Sequence, residues 1–193
     1  MIRIGILGDI GSGKSYVANN FGYPVFDADY EVSKLYKKDK KTFNKLKRNL
    51  PDYIYSFPVN KIQITKAILS NNNNLRKIIK IVHEEIRKKM KLFIKKNIHK
   101  KIIILDIPLL LENKISQKRD VLIYIDSKSS EIRKRLKKRK NFNKKIFKKF
   151  KEIQLPLVYK KKKSDFIIKN DFTKKNLIKS IKLILNKIIK WMK

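Results

Sequence analysis

Short runs of apolar residues recur along the chain, and longer segments with a different periodicity lie between them. The runs lie at residues 2–7, 24–26, 102–105, 121–125 and 166–168. Continuous apolar runs that are only a few residues long are typical of β-strands that are buried on both faces of a sheet. We therefore predict five strands.

The segments between these runs repeat their apolar residues every three or four positions, which is the spacing of one helix face. In the clearest of them, 75–98, the pattern predicts a long amphipathic helix preceded by a polar loop at Asn71–Asn74. Thr173 is placed to cap a last helix. The other predicted helices cover about 14–21, 28–50, 59–70 and 128–153, the last of these interrupted around 141–143. Strands that alternate with helices predict an α/β fold with a parallel sheet and right-handed crossovers.

The chain is strongly basic, with 51 Lys and Arg residues against 16 Asp and Glu residues in 193, a formal net charge of +35. Such an excess is typical of proteins that bind nucleic acid. The first 33 residues nevertheless carry a net charge of −2, and 8 of the 51 cations are Arg. Because the basicity avoids the segment with the clearest motif, a solvated lysine surface is the favoured interpretation. A nucleic-acid-binding protein remains an alternative.

The composition excludes several kinds of chemistry. The chain has no cysteine, so disulfides, thiolate zinc sites and a cysteine nucleophile are ruled out. No apolar stretch approaches the roughly 18 residues of a membrane span, and the N-terminus lacks the cationic start of a signal peptide. We expect a soluble, cytoplasmic monomer that binds neither membranes nor a specific nucleic acid.

One glycine-rich segment matches a phosphate-binding motif. Residues 8–15 are Gly-Asp-Ile-Gly-Ser-Gly-Lys-Ser, which satisfies G-x-x-x-x-G-K-[ST] between a predicted strand and a predicted helix. Glycines let successive backbone N–H groups point inward at phosphate oxygens. The motif predicts that Lys14 reaches the β- and γ-phosphates of a nucleotide and that Ser15 ligates Mg²⁺.

Carboxylates follow several of the predicted strands. Asp27 and Asp29 come after the second strand, and Asp106 ends the third. Parallel sheets bind their ligands at the carboxyl ends of the strands. Phosphoryl transfer needs a group that positions the acceptor hydroxyl and a carboxylate near the metal. The residues alone leave open whether Asp27 and Asp29 serve that chemistry or cap a helix, and whether Asp106 merely ends a strand.

Several segments together give the chain a specific resemblance. They span nearly its whole length, in order: Ile4–Ser15, Val25–Asp29, His83 with Ile86-Arg87, Leu105–Glu112, Arg135–Arg139, Gln154 and Ser164–Asn170. In these segments the chain resembles the dephospho-CoA kinase family. The D-A-D and D-I-P-L-L-x-E elements are more specific than the phosphate loop, which many NTPases share.

The resemblance implies a P-loop NTPase three-layer α/β fold with a five-stranded parallel sheet, a helical acceptor-binding insert and a helical lid. It implies that the γ-phosphate of ATP is transferred, with Mg²⁺, to the ribose 3′-hydroxyl of dephospho-CoA, giving CoA and ADP. A kinase for another small hydroxylated metabolite, such as a nucleoside, shikimate or gluconate, is the nearest alternative. One kinase domain is expected over 1–193, with its core in 1–50, 100–132 and 160–193, the acceptor-binding region at about 51–99 and the lid at about 133–155.

The resemblance also implies roles for individual residues. Catalysis is expected from Lys14, Asp29 and Arg139, and the metal is expected beside Ser15 and, through water, Asp106. The residues expected to bind ATP are Gly11, Ser12, Gly13, Lys14, Ser15, Tyr16, Arg139 and Asn170. The residues expected to bind the acceptor are Asp27, Asp29, His83, Arg87, Leu110 and Glu112. Core packing is an equally good account of Leu110, and a helix cap is an equally good account of Asn170.

The chain departs from the family pattern at two places that matter for nucleotide binding. Asp9 stands where the family has a second glycine in the phosphate loop, and it puts an anion near the phosphates. That anion weakens ATP binding unless a lysine compensates it. Before Gln154, residues 149–151 are Lys-Phe-Lys where a family arginine is expected nearby, so no role is carried over there.

Overall fold

The computed structural model describes residues 1–139 and 142–191. Over those ranges the chain forms, in order, β1 (Ile2–Gly8), α1 (Lys14–Asn19), β2 (Val25–Asp27), α2 (Ala28–Lys38), α3 (Lys40–Asn49), α4 (Lys61–Ser70), α5 (Asn72–Lys96), β3 (Ile102–Asp106), β4 (Val121–Asp126), α6 (Ser129–Lys137), α7 (Lys144–Glu152), α8 (Leu157–Lys162), β5 (Phe166–Lys169) and α9 (Lys174–Lys190). Every helix in this part of the chain is too short or too polar to cross a membrane.

The chain packs into two compact units. The first, here called the sheet unit, comprises Met1–Asp27, Asn97–Phe142 and Phe150–Lys193. The second, here called the helical unit, comprises Ala28–Lys96 and Asn143–Lys149. The helical unit begins at α2, because α2 and α3 pack on α5. The acceptor-binding region at about 51–99 and the lid at about 133–155 stay predictions.

The sheet unit is built on a parallel sheet whose strand order, over the described ranges, is β2-β3-β1-β4-β5. Ile4 of β1 is in register with Ile104 of β3 on one side and with Val121 of β4 on the other. All five residues of β3 are buried, so both faces of the sheet are covered there. That burial explains the continuous apolar run in the sequence, and the predicted five-stranded parallel α/β architecture is confirmed.

One face of the sheet packs against α1 and α9. The side chains of Ile4 and Ile6 on β1 are fully buried in this layer. Their partners in the same apolar cluster include Val17, Ala18, Phe21, Leu177, Ile181, Ile184 and Ile188. Each of these helices turns a single apolar stripe to the sheet, which is the pattern that the sequence showed for the last helix.

The helical unit is organised around α5. Its residues Ile78, Val82 and Ile86 are buried and recur at the spacing of one helix face. The helices α2, α3 and α4 pack against α5. The backbone N–H of Val59 donates to the carbonyl of Tyr36 at 2.9 Å, which ties the segment before α4 to α2.

Two local expectations from the sequence are wrong. Asn71–Asn74 is not a loop, because α5 begins at Asn72 and the Asn71 side chain accepts a hydrogen bond of 2.8 Å from the backbone N–H of Asn74. The asparagines therefore start the helix as a cap, a role that this side chain fills well. Thr173 precedes α9, but its hydroxyl bonds Asp171 Oδ1 at 2.7 Å and caps no helix N–H.

The boundaries of other helices also differ from expectation. The first helix ends at Asn19, and Leu157–Lys162 forms a helix that was not predicted. A six-residue element rich in lysine carries too little periodicity to be recognised. The predicted segment 128–153 divides into α6 and α7 as expected, and Asn141 within its predicted break lies outside the described residues.

Candidate functional site

The phosphate-binding motif forms the turn between β1 and α1 in the sheet unit. Gly8, Gly11 and Gly13 have φ angles of +147°, +85° and +92°, which residues with a side chain rarely adopt. Lys14 begins α1 directly after Gly13. The Lys14 Nζ donates to the carbonyl oxygens of Asp9 at 2.7 Å and Gly8 at 3.3 Å. The lysine is therefore folded over the loop that the motif assigns to phosphate.

Two polar residues, one directly after β4 and one directly after β5, brace this loop. The Asn170 amide donates to the carbonyl of Ser12 at 2.8 Å, and the Ser127 hydroxyl donates to the same carbonyl at 3.0 Å. A Cβ added at Gly13 would lie 2.6 Å from Asn170 Nδ2, so this close approach requires glycine. Asn170 also accepts from the backbone N–H of Phe172 at 2.9 Å. It thus supports the phosphate loop rather than capping α9, and its contact with ATP stays a prediction.

Ser15 and Tyr16 are exposed at the start of α1. Ser15 lies two residues after Gly13, where a metal ion bound beside the loop can reach it. The adjacent Ser12 side chain is fully buried, and its hydroxyl finds no hydrogen-bond partner within 1–139 and 142–191. A buried hydroxyl without a partner, in a glycine-rich loop that matches a phosphate-binding motif, fits a site that accepts an anionic oxygen.

Two carboxylates meet at the carboxyl edge of the same sheet. Asp27 is the last residue of β2, Asp106 is the last residue of β3, and the two are register partners. Asp106 is 4% exposed. Carboxylate and hydroxyl oxygens are the ligands that Mg²⁺ prefers, and Mg²⁺ usually keeps several waters and substrate phosphates in its shell. The donor set of Ser15, Asp27 and Asp106 therefore fits a magnesium ion that is held partly through water.

The Asp9 carboxylate has the lysine partner that the sequence left open. The Lys151 Nζ lies 2.7 Å from Asp9 Oδ1 and 2.8 Å from Oδ2. The Ile10 backbone N–H donates to Asp9 Oδ1 at 2.6 Å. Sequence reasoning missed this role of Lys151, because nothing distinguishes it from the other lysines of its segment.

A cleft of about 850 Å³ opens beside the phosphate loop at the ends of β4 and β5. Its lining includes Asp126, Ser127, Lys128, Lys169, Asn170 and Asp171. Asn170 and Ser127 are the residues that brace the loop, so the cleft adjoins the phosphate site directly. This position suits the base and sugar of a nucleotide whose phosphates lie in the loop.

The arginines expected in the lid lie at and beyond α6. Arg139 is exposed two residues after the end of α6. The guanidinium of Arg135 lies 4.4 Å from the centre of the Phe172 ring, a cation–π contact. A role for Arg139 at the phosphates stays a prediction.

The segment after β3 is anchored in the interior. Leu110 is fully buried, and a Cβ at Gly5 would lie 2.5 Å from its Cδ2, so Leu110 packs on β1 as a core residue. Glu112 forms a buried ion pair with Lys160 and accepts from the backbone N–H of Leu155 at 3.0 Å. These contacts give both residues a packing or anchoring role, and their contact with the acceptor stays a prediction.

The remaining candidates belong to the helical unit. Asp29 is exposed in the first turn of α2. On α5, His83 is half-buried and Arg87, four residues later, is exposed on the same side of the helix. Near them, Lys45 and Lys88 both pair with Glu84 and Glu85 at 2.8 to 3.1 Å.

These two glutamates carry shifted pKa values. The hydrogen bond from Lys88, followed by the one from Lys45, lowers the pKa of Glu84 to about 2. Burial works to raise the pKa of Glu85, but Lys45 and Lys88 outweigh it and the net shift is downward. These four side chains form a network of ion pairs in the helical unit. None of them is among the residues predicted to take part in catalysis.

Comparison with known proteins identifies the family of this chain. The family model described as Dephospho-CoA kinase matches residues 2–176. A dephospho-CoA kinase from Wolbachia sp. subsp. Brugia malayi is 34% identical over 190 residues, covering 96% of this chain and 97% of that protein. A dephospho-CoA kinase from Bartonella quintana is 30% identical over 192 residues, covering 97% of this chain and 98% of that protein.

Solved structures show the same fold. The crystal structure of TT1252 from Thermus thermophilus matches with a TM-score of 0.75 and 25% identity, covering 96% of this chain and 97% of that one. A shikimate kinase from Acinetobacter baumannii in complex with shikimate matches with a TM-score of 0.54 and 12% identity, covering 98% and 94%. At 12% identity, the match to the shikimate kinase shows a shared fold and nothing more. Given the family match over residues 2–176 and these full-length relatives, the chain belongs to the dephospho-CoA kinase family and is an ATP-dependent phosphotransferase.

Proposed function

We propose that this protein transfers the γ-phosphate of ATP to the ribose 3′-hydroxyl of dephospho-CoA, giving CoA and ADP. The observation that carries the proposal is the shared edge of the parallel sheet. There the glycine loop with Lys14 lies at the end of β1, and the Asp27–Asp106 pair ends the neighbouring strands. Family membership supplies the choice of acceptor.

The phosphate loop and Lys14 hold the triphosphate in this proposal. Backbone N–H groups of the loop, among them those of Gly11 and Gly13, face the phosphate oxygens, and Lys14 exchanges its loop carbonyls for the β- and γ-phosphates. Catalysis of phosphoryl transfer rests mostly on such positioning and on neutralising charge. Arg139 contributes a further cation to the transferred group.

Mg²⁺ fits the oxygen donors of this site, and when bound it would neutralise charge on the β- and γ-phosphates. Ser15 would hold the ion directly and Asp106 would hold it through water. Asp27 is the register partner of Asp106. It would therefore share the water shell of the ion or hold the acceptor.

Asp29 accepts a hydrogen bond from the acceptor hydroxyl and takes its proton as the hydroxyl oxygen attacks the γ-phosphorus. His83 and Arg87 hold the rest of the acceptor, with Arg87 paired to an acceptor phosphate because guanidinium groups bind phosphate oxygens in a bidentate way. The protein acts as a monomer in the cytoplasm in this proposal.

An acceptor panel tests the proposal. ADP release from ATP and Mg²⁺ is measured with dephospho-CoA, shikimate, gluconate and adenosine as competing acceptors. We expect turnover with dephospho-CoA and little with the others, and the Lys14→Ala variant should lose turnover while keeping the melting behaviour of a folded protein. Turnover with another acceptor in preference to dephospho-CoA would refute the assignment.

A further inference from the structure

Asp9 places a carboxylate inside the loop that binds phosphate. The whole residue is 9% exposed. Its Oδ1 accepts a hydrogen bond of 2.6 Å from the backbone N–H of Ile10, which holds the side chain in place. The carbonyl of the same residue accepts from Lys14 Nζ at 2.7 Å and from the Ser12 backbone N–H at 3.2 Å. Asp9 is thus a fixed part of the loop.

Such a carboxylate opposes the function of the loop. The phosphates of ATP are anions, and like charges held a few ångströms apart at a partly buried site repel each other strongly. A loop with an uncompensated Asp9 would bind a nucleotide more weakly than a loop without it. The charge therefore needs a partner that stays in place when the nucleotide enters.

Lys151 is positioned to be that partner. Its Nζ contacts both carboxylate oxygens, at 2.7 and 2.8 Å, and the two residues are 142 positions apart in the sequence. Asp9 and Lys151 both belong to the sheet unit. The Asp9 side chain is 12% exposed and that of Lys151 is 34% exposed, so solvent screens this pair less than a surface pair.

We propose that Lys151 is a positioning residue for ATP, which acts by neutralising Asp9 so that the phosphate loop can accept a triphosphate. The proposal rests on the proposed function only in taking ATP as the ligand of this loop. It assigns a role to one lysine in a chain whose other lysines mostly carry solvated charge. It also explains how this chain accommodates an aspartate at position 9 of its phosphate loop.

The proposal makes the effect of Lys151 depend on Asp9. In the Lys151→Met variant the Asp9 charge is left unbalanced, and affinity for ATP should fall by about tenfold. In Asp9→Asn the amide keeps the shape of the side chain and removes the charge, so affinity should stay within about twofold of wild type or improve. In the double variant Asp9→Asn/Lys151→Met the loss should largely disappear, which is a non-additive result.

The test is calorimetric binding of MgADP and of a non-hydrolysable ATP analogue to the full chain and these variants. Lys148→Met, which removes a charge from an exposed position of α7, is the matched control and should bind like wild type. Lys151→Arg should retain most of the affinity. The KM for dephospho-CoA should change less than the KM for ATP, which separates this role from general damage.

Two outcomes would overturn the proposal. If Lys151→Met binds both nucleotides as tightly as wild type, the ion pair has no role in binding. If the same loss occurs with and without Asp9→Asn, Lys151 acts on the nucleotide independently of Asp9. If Lys151→Met does not fold, the other two variants still test the proposal. The double variant must then bind both nucleotides nearly as tightly as wild type, and Lys151→Arg must retain most of the affinity. Weak binding by the folded double variant would also overturn the proposal. Nucleotide binding without turnover of dephospho-CoA would refute the proposed acceptor and leave this inference standing.

Discussion

Asp27 and Asp106 stand opposite each other on two neighbouring parallel strands, each as the last residue of its strand. Their register is set by the parallel pairing of β2 with β3, so the sheet itself places the two aspartates side by side. Because β3 also pairs with β1, this position lies at the sheet edge where the phosphate loop begins. The sheet therefore places the carboxylates and the phosphate loop at one edge.

Asp29 should affect the chemical step more than binding. We expect Asp29→Asn to lower kcat by about 10²- to 10⁴-fold, the usual contribution of a positioned acid or base, with affinity for ATP mostly kept. Steady-state kinetics with each substrate varied in turn measure this. Glu31→Gln, in the same first turn, is the control and should keep near-normal kcat, because Glu31 pairs with Lys34 and Lys89 and is given no role at the acceptor. A rise in KM for dephospho-CoA with unchanged kcat would assign Asp29 to binding alone.

Gly13 should tolerate no side chain. At its φ of +92° an alanine is strained by about 1–2 kcal/mol, and its Cβ would lie 2.6 Å from Asn170 Nδ2. We expect Gly13→Ala to weaken both nucleotide binding and thermal stability. Gly22→Ala is a matched control, because its φ is +75° but no atom lies within 4 Å of the added Cβ. Equal effects of the two substitutions on stability and nucleotide binding would show that the contact with Asn170 is unimportant.

The buried ion pair of Glu112 and Lys160 should stabilise the sheet unit. Lys160 is 1% exposed and the Glu112 side chain 8%. Lys160→Met leaves a buried carboxylate without its cation, and we expect a loss of about 3–5 kcal/mol in the free energy of unfolding by urea. Glu112→Leu combined with Lys160→Met should recover much of that loss.

Lys161→Met is the control for this experiment. In the pair of Lys161 with Asp126 the lysine is exposed and the aspartate is half-buried, so its removal should change stability by about 1 kcal/mol or less. A Lys160→Met variant as stable as Lys161→Met would contradict the anchoring role of the buried pair.

The helical unit should lose stability in acid through Glu84. The pKa of this carboxyl is lowered from its usual value of 4.5 to about 2, first by the hydrogen bond from Lys88. A group whose pKa is lower in the folded state contributes stability above its unfolded pKa, and that contribution is lost as the pH falls through the folded pKa. The difference in melting temperature between wild type and Glu84→Gln should therefore shrink between about pH 4.5 and 2. A constant difference over that range would contradict the role of this charge pair.

The order of strands along the chain and the phosphate loop could be predicted from the sequence, because both are local patterns. The run 102–105 is apolar on every residue since β3 is covered on both faces. Each glycine with positive φ in the loop stands where the backbone conformation requires it. These signals need no knowledge of distant contacts.

Contacts over long sequence distances could not be predicted in the same way. Lys151 pairs with Asp9, yet it stands among lysines of identical chemistry, and only the fold distinguishes it. Lys160 is buried, which is rare for a lysine unless it is paired, and only the fold shows that Glu112 is its partner. The asparagine run at 71–74 has the composition of a loop, but the cap that Asn71 forms makes it the start of α5.

Phosphorus NMR of the reaction mixture shows which hydroxyl receives the phosphate. With ATP, Mg²⁺ and dephospho-CoA as the only substrates, we expect a new phosphomonoester signal from a phosphate on the ribose 3′-oxygen of the product. That signal should grow in step with ADP, and it should be absent with Lys14→Ala. Hydrolysis of ATP without a 3′-phosphorylated product, or phosphorylation at another hydroxyl, would show that the protein does not phosphorylate the ribose 3′-hydroxyl of dephospho-CoA.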